Sequence, residues 1–509
     1  MSQNNIARRK LLVLSGYAVT MSMLGTSSGS ASNNDNALST DLVQPELRSS
    51  VDGLLVTQFN LAYAPNAIGG QDGGEQPIYT RCYEGMVPGP SLRLRPGDVL
   101  NVALENNLPP NNDPQPVNTS LPHLVNSTNF HTHGLHVSPS GNADNVLITL
   151  NPGSTHDVDI SIPSDHPGGT HWYHPHKHGG VTTQFQGGMG GALIIEGALD
   201  AVPEVAAARD IVLVFQELQL NSVGEVEDPD ITTPDMDDLF PKDQTLYTVN
   251  GQVNPTLTVR PGEVIRLRCL NATIGTFYPL SLDSHDLNLI ANDGISLAAL
   301  ETSSGAFLGA GNRLDLLVRA GAAGTHVLRG HTYTRSPKLT RDDVELLTLI
   351  VEGEPMDMGL PTTLPAPYAH IEDAELTGSR TIVFDTVANK FDGTFPETFT
   401  LTMAFTIDGA LFDSSVINQV VNLNAVEEWT LINNADEIHN FHIHTNPFEV
   451  ISVDGVMQDP PLWGDTILLP VKGSVVIRSR FTDFTGELVL HCHILDHEDT
   501  GMMQSVQIV

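Results

Sequence analysis

An all-β protein of three related domains is what the sequence predicts, and three observations carry that reading. Strand-forming residues accompany abundant Gly and Pro, Lys is scarce, and long amphipathic helical patterns are almost missing. At 509 residues the chain is too long for one hydrophobic core, so two to four domains are expected. A short strand-like segment also recurs three times at wide spacing, the signature of an internal repeat.

Taken in order, the chain begins with Ala7-Arg8-Arg9-Lys10-Leu11-Leu12, a moderately apolar run to Leu24, and small residues ending at Gly29-Ser30-Ala31. This pattern reads as an export signal over residues 1–31 rather than a membrane span, and its paired arginines resemble a twin-arginine signal. No cysteine follows the apolar run, so a lipoprotein anchor is excluded and a periplasmic or secreted protein is expected. Residues 32–46, rich in Asn and Ser at their start, are expected to be a disordered spacer.

From about Leu47 the pattern becomes strands and turns. Arg95-Pro96-Gly97-Asp98-Val99-Leu100-Asn101-Val102 is echoed by Arg260-Pro261-Gly262-Glu263-Val264-Ile265-Arg266-Leu267 and, more loosely, by Asn424-Ala425-Val426-Glu427-Glu428-Trp429-Thr430-Leu431. Each copy precedes a strand that opens on Gly: Gly169-Thr170-His171-Trp172-Tyr173-His174, Gly324-Thr325-His326-Val327-Leu328-Arg329 and Gly486-Glu487-Leu488-Val489-Leu490-His491. Three copies imply three β-barrels with boundaries near 47–198, 207–354 and 378–509, the last reached by a Pro-rich polar linker, 355–377.

Metal-binding chemistry is densest in His491-Cys492-His493-Ile494-Leu495-Asp496-His497-Glu498-Asp499-Thr500-Gly501-Met502. Side chains alternate along an extended segment, so His491 and His493 share one face while Cys492 points to the other. His497 and Met502 follow Cys492 at five and ten residues. Thiolate, imidazole and thioether, completed by a second histidine, are what a blue-copper electron-transfer centre requires. Three further clusters each hold a His-x-His pair: His131-Thr132-His133, His174-Pro175-His176 and His439-Asn440-Phe441-His442-Ile443-His444. Buried imidazoles without partners are costly, which argues that these clusters share metal.

These stretches match the four copper motifs of the multicopper oxidases, and the chain resembles that family over essentially its whole mature length. The resemblance implies cupredoxin-like Greek-key barrels and four copper ions, one type 1, one type 2 and a type 3 pair. Carried over by motif position, His439, Cys492 and His497 with axial Met502 would hold the type 1 copper, and His131 and His442 the type 2 copper. His133, His174 and His493 would hold one copper of the type 3 pair, and His176, His444 and His491 the other. The middle repeat reads Leu280-Ser281-Leu282-Asp283 and Arg329-Gly330-His331 where its neighbours carry ligands. It is therefore expected to keep the barrel without a copper site, as a spacer and a wall of the substrate cleft, while the outer domains meet to form the cluster.

Reducing dioxygen to water consumes protons, so carboxylates are expected near the cluster. Glu498 follows His497 and matches the acidic position of relatives; Asp144, eleven residues after His133, matches the aspartate of the family's Asp-Gly pair. Asn145 replaces that Gly, on the expectation of a left-handed backbone. Asn440-Phe441 stands where Pro-Phe is usual, from which an altered loop is expected. His136 and His178 flank ligand motifs as candidates to orient them.

The resemblance implies a laccase-like oxidase that couples one-electron oxidation of phenols or aromatic amines to four-electron reduction of dioxygen. His497, expected to be exposed at the cleft, would accept each electron, and Cys492 would relay it to His491 and His493. A metallo-oxidase for Cu(I) or Mn(II) is the alternative, marked by a carboxylate- or Met-lined site beside His497. Met236, Met356, Met358, Met403 and Met457 are scattered and form no Met-rich insertion, which favours the organic substrate. A copper-free structural protein on the same fold is disfavoured because every ligand is present. The net charge of −36 excludes nucleic acid as a natural partner and points to a self-repelling surface or to a saline habitat. Cys82 and Cys269 fall in different predicted domains and are expected to be free buried thiols. The expected partners are dioxygen and a small phenolic, aromatic-amine or metal-ion reductant, for a monomer without a membrane anchor.

Overall fold

The computed structural model describes residues 41–66, 68, 77–112, 115, 116, 119–230, 244–388, 392, 393, 399, 400 and 403–509. The expected signal (1–31), residues 32–40 of the expected spacer, and Met236 lie outside the described residues. Six larger sheets pair into three units among the described residues. In the first unit, a sheet ordered Ile78–Tyr83, Leu54–Asn66, Val99–Asn106, Thr155–Ser161 shares an apolar core with one ordered Leu47–Ser49, Ser91–Leu94, Gly191–Ile195, Gly169–His174, His131–His133. The second and third units repeat this plan around cores containing Leu267 and Leu316, and Trp429 and Phe481.

The repeat has its physical basis in a turn. The N–H groups of Asp98, Glu263 and Ala425 donate to the carbonyls of Arg95, Arg260 and Asn422. Just before each donor sits a left-handed residue, Gly97 (φ 90°), Gly262 (φ 76°) or Asn424 (φ 68°), and Gly and Asn tolerate that conformation. The third copy therefore begins at Asn422, two residues earlier than the sequence match placed it. Each turn feeds a strand that pairs in parallel with a neighbour: Val99–Asn106 with Leu54–Asn66, Val264–Asn271 with Arg209–Leu220, and Ala425–Asn433 with Gly378–Ala388.

Each of these strands ends on a fully buried asparagine, Asn106, Asn271 or Asn433. Its Oδ1 accepts the N–H of the residue two ahead, Leu108, Thr273 or Ala435. Its Nδ2 donates to two backbone carbonyls: those of Asn126 and Leu150, of Thr276 and Leu308, and of Glu437 and Leu469. The same clamp thus ties the strand end to the segments beside it in all three units.

One central strand departs from its siblings. Ala425–Asn433 alternates buried and half-buried residues, as a strand with one partly wet face should, whereas Val264–Asn271 is buried throughout. Ile265, Leu267 and Cys269 face the core. Arg266 and Arg268 on the other face meet Asp200, Asp210 and Asp315, and Arg268 also donates to Thr170 of the first unit. Ion pairs this buried roughly break even against desolvation, so they fix orientation more than they stabilise. Trp172, Ile194, Val212 and Leu270 supply the apolar contact between the two units.

Two connecting segments are more firmly held than their composition suggests. Residues 41–46 fell within the expected disordered spacer, yet Leu42 N–H donates to Thr256 O (2.7 Å) and the Gln44 amide bonds both backbone groups of Val212. Backbone groups lying against a sheet find partners there and become ordered. In the linker, Met358 Sδ accepts the Val264 N–H (3.3 Å) and Leu364 N–H donates to Ala298 O (3.0 Å). Cys82 and Cys269 are buried and free.

Candidate metal centre

The His-x-His pairs sit on adjacent antiparallel strands in the two outer units. His131–His133 runs against Gly169–His174 with His131 opposite His174, and His439–Ile443 runs against Gly486–Cys492 with His442 opposite His491. Strand alternation then sends the imidazoles of both units to the interface between them, where every one is buried.

The histidines gather into the groups His131, His133, His442; His133, His174, His493; and His176, His444, His491, each with nitrogens within 4.8 Å of one another. In the last group the Nε2 atoms lie 3.1, 3.2 and 3.4 Å apart. His131 stacks on His444 and His133 on His442, with centroids 4.0 and 3.8 Å apart.

The opposite ring nitrogens are occupied. His131 Nδ1 donates to Asp144 Oδ1 (2.9 Å), His174 Nδ1 to Pro175 O (3.0 Å), His442 Nδ1 to Asp465 O (2.8 Å) and His133 Nε2 to Asp465 Oδ1 (3.1 Å). His131 Nε2, His133 Nδ1, His174 Nε2 and His442 Nε2 are left buried with no hydrogen-bond partner, and so are both nitrogens of His493. Buried polar atoms are normally satisfied, and an imidazole anchored through one nitrogen with the other unpaired is how a metal ligand is built. Burial lowers these groups, His442 to about 3 and His176 and His491 to about 4, keeping the rings neutral as ligation requires. This donor set fits copper.

A second site lies within the third unit. Cys492 Sγ is 3.7 Å from His439 Nδ1 and 3.8 Å from His497 Nδ1, and those two nitrogens are 3.2 Å apart. A short helix, Leu495–Asp499, turns His497 back toward the sulfur, and the loop is closed by Met502 N–H to His497 O (2.9 Å) and Cys492 N–H to Met502 O (3.0 Å). Met502 is fully buried. Burial pushes the Cys492 thiol up to about 12, so a bound cation is what would hold it as thiolate. Asn440 N–H donates to the sulfur (3.5 Å), and its amide donates to Ala310 O of the middle unit (2.5 Å). The strand His439–Ile443 runs unbroken through Asn440, so the altered loop expected there does not occur.

His497 is not exposed as expected, with only 1% of its surface accessible. Phe405 stacks on it at 3.9 Å, and Glu437 Oε2 lies 3.7 Å from its Nε2. Both covering residues belong to other segments, one on the strand Met403–Ile407 and the other just before His439, so the spacing around His497 gave no sign of them.

Of the two candidate proton carriers, Asp144 is buried and accepts from His131 Nδ1, Thr132 N–H (3.2 Å) and Thr132 Oγ1 (3.1 Å). Glu498 is buried with Oε2 3.0 Å from His491 Nδ1 and Oε1 3.5 Å from His176 Nδ1. Burial raises each to about 7. Asn145 is absent from the left-handed residues, so the expected backbone requirement does not hold. Its amide instead closes the turn, donating to Gly141 O and accepting from Leu147 N–H.

His136 ties the first unit to the third through Thr445 O (2.6 Å) and Asp483 (3.0 Å), and His178 packs edge-on against Phe412 and His123. Neither forms a hydrogen bond to a candidate ligand. Asp465, Thr466 and Arg313 do surround the ligands and were missed. The one trace of them was a polar Asp-Thr pair interrupting the apolar run from Trp463 to Leu469.

Family models described as multicopper oxidase match residues 117–199, 221–344 and 384–509. A multicopper oxidase of Staphylococcus epidermidis is 27% identical over 441 residues, covering 84% of each chain. A laccase of Haloferax volcanii is 27% identical over 471 residues, covering 83% of this chain and 76% of its own. Among solved structures, a Campylobacter jejuni multicopper oxidase described as a metallo-oxidase superposes with a TM-score of 0.76 at 23% identity, over 94% of this chain and 97% of its own. A Pediococcus acidilactici laccase superposes with a TM-score of 0.74 at 24% identity, over 92% and 94%. With three matched segments in order, this sheet architecture and a donor set suited to copper, the chain belongs to the multicopper oxidase family, whose members are copper-dependent oxidoreductases.

Proposed function

We propose that this oxidase is laccase-like, oxidising phenols or aromatic amines one electron at a time at the expense of dioxygen. The observation that carries the oxidase mechanism is the complete donor set: one group with a cysteine sulfur, His439, Cys492 and His497, beside three all-histidine groups, joined through the Cys492 backbone. His439, Cys492, His497 and Met502 would hold type 1 copper and His131 with His442 type 2 copper. His133, His174 and His493 would hold one type 3 copper, and His176, His444 and His491 the other. When bound, copper supplies the one-electron chemistry, so that four donor electrons and four protons convert one dioxygen into two waters.

The chain's own residues supply the path and the protons. Cys492 is covalently adjacent to both His491 and His493, so the two centres are a few bonds apart. His497 forms the donor-facing end, shielded from water by Phe405. Glu498, between His491 and His176, and Asp144, on His131, would hold and pass protons at the cluster, a role their contacts with the ligand rings support. Met502, buried at the end of the same loop, would add a weak thioether donor to the type 1 copper, which would give a moderate potential suited to easily oxidised aromatics.

Glu437 beside His497 supports a second reading, since a carboxylate there would also attract Cu(I) or Mn(II). Oxygen uptake by the copper-reconstituted protein decides between them. Faster uptake with a dimethoxyphenol than with Cu(I) at matched concentration is expected; uptake confined to Cu(I) would establish the metallo-oxidase, and none with either would refute the oxidase mechanism.

The division into three cupredoxin-like domains, export on a twin-arginine-type signal and a monomeric state belong to the same proposal. Among the described residues no helix is long and apolar enough to cross a membrane.

A further inference from the structure

We propose that the middle domain, which has no metal-ligating group of its own among the described residues, acts on the trinuclear centre through Asp465, which Arg313 holds against the ligand histidines. In this role Asp465 is a positioning residue that sets the tautomer and ring orientation of His133 and His442. The inference rests on the copper assignment proposed above.

Asp465 is buried and immediately precedes the strand Thr466–Leu469, which pairs with His439–Ile443 so that Thr466 lies opposite His442. Its Oδ1 accepts from His133 Nε2 (3.1 Å) and Thr466 Oγ1 (2.8 Å), and its backbone oxygen accepts from His442 Nδ1 (2.8 Å). One residue thus grips a ring from the first domain and a ring from the third.

The middle domain closes the grip. Arg313 Nη1 donates to Asp465 Oδ1 (2.8 Å) and Nη2 to Oδ2 (2.5 Å), a bidentate pair. Its other three N–H groups go to Thr170 O (3.1 Å), Gly311 O (3.1 Å) and Asp293 O (2.9 Å), so all five donors of a fully buried guanidinium are used. Asn312 adds a bond from Nδ2 to Thr466 O (3.0 Å). Two glycines allow the close approach. A Cβ on Gly134 would lie 2.2 Å from Arg313 Nη2 and 2.7 Å from Asp465 Oδ2, and one on Gly311 would lie 2.9 Å from the His493 ring.

A neutral imidazole donates from one nitrogen and coordinates through the other. Asp465 Oδ1 takes the proton of His133 Nε2 and leaves Nδ1 free, while Asp465 O takes the proton of His442 Nδ1 and leaves Nε2 free. The same residue therefore imposes opposite tautomers on two rings stacked 3.8 Å apart. No hydrogen bond joins Asp465 or Arg313 to His439, Cys492 or His497 among the described residues, so the effect is confined to the trinuclear side.

The test uses the full-length, copper-reconstituted chain with Asp465→Asn and Thr466→Val. Arg266→Gln serves as the control, because Arg266 is an equally buried ion-pair partner of Asp315 with no ligand in contact. Copper per chain, the type 2 paramagnetic resonance signal, single-turnover reoxidation by dioxygen and thermal unfolding are measured. Asp465→Asn is expected to alter or remove the type 2 signal and slow reoxidation about 10–100-fold, leaving type 1 absorption and its reduction by a phenol unchanged. Thr466→Val should move the same readouts less, and Arg266→Gln should lower Tm alone. An unchanged type 2 signal, copper count and reoxidation rate in Asp465→Asn would overturn the proposal, and so would the same spectral loss in Arg266→Gln. Should Asp465→Asn not fold, Thr466→Val decides on the same readouts. A parent chain lacking type 2 copper would instead refute the assignment on which the clamp rests.

Discussion

The middle and third units carry out the same strand pairing with opposite chemistry. Leu280 lies opposite Gly330 and Ser281 opposite Arg329 in one, where Phe441 lies opposite Cys492 and His442 opposite His491 in the other. Both keep the turn, the parallel central pair and the asparagine clamp. Ligand residues are thus additions to a scaffold that is complete without them, and the unit lacking them serves the centre from outside through Arg313.

The strongest challenge to that comparison is Cys492→Ser. If ligands are additions, the variant loses the visible type 1 absorption and its phenol oxidation falls to background, while its Tm stays within a few degrees of the parent. Collapse of the fold in calorimetry would show instead that the third unit, unlike the second, depends on its ligands.

Next in size are Asn106→Ala, Asn271→Ala and Asn433→Ala. Each strands one N–H and two carbonyls in the interior, so each should cost about 1–3 kcal/mol in denaturant unfolding. The comparison is sharpened by a difference in spectra, because Asn433 holds the carbonyl of Glu437, two residues before His439. Only Asn433→Ala should also shift the type 1 absorption.

A subtler probe is Asn440→Pro, which removes the N–H donated to Cys492 Sγ and the amide bond to Ala310. Hydrogen bonds to the thiolate favour the reduced metal, so the type 1 midpoint potential should fall in a redox titration while type 2 signals persist. Smallest of all is the response to salt. If the charge of −36 reflects a saline habitat, Tm should rise as screening increases, and a melting curve indifferent to salt would count against that reading.

What the sequence made legible follows from local periodicity. Alternation along a strand put His491 and His493 on one face and Cys492 on the other, and the separate groups in the structure follow that division. Contacts between distant segments were not legible. Asp465 meets His133 across 332 positions, and no pattern within either segment announces the other. Arg266 and Arg268 alternate like a solvent-facing edge, yet carboxylates from distant segments cover them, Asp200 of the stretch that joins the first two units and Asp210 and Asp315 of neighbouring strands. His497 read as exposed for the same reason, since Phe405 and Glu437 come from elsewhere.

Each of the three all-histidine groups draws on both outer units, whereas His439, Cys492 and His497 all come from the last. Metal occupancy is therefore a report on assembly. A severed third unit that kept its shape would turn blue yet reduce no oxygen, and only a chain whose two ends have found one another could complete the reaction.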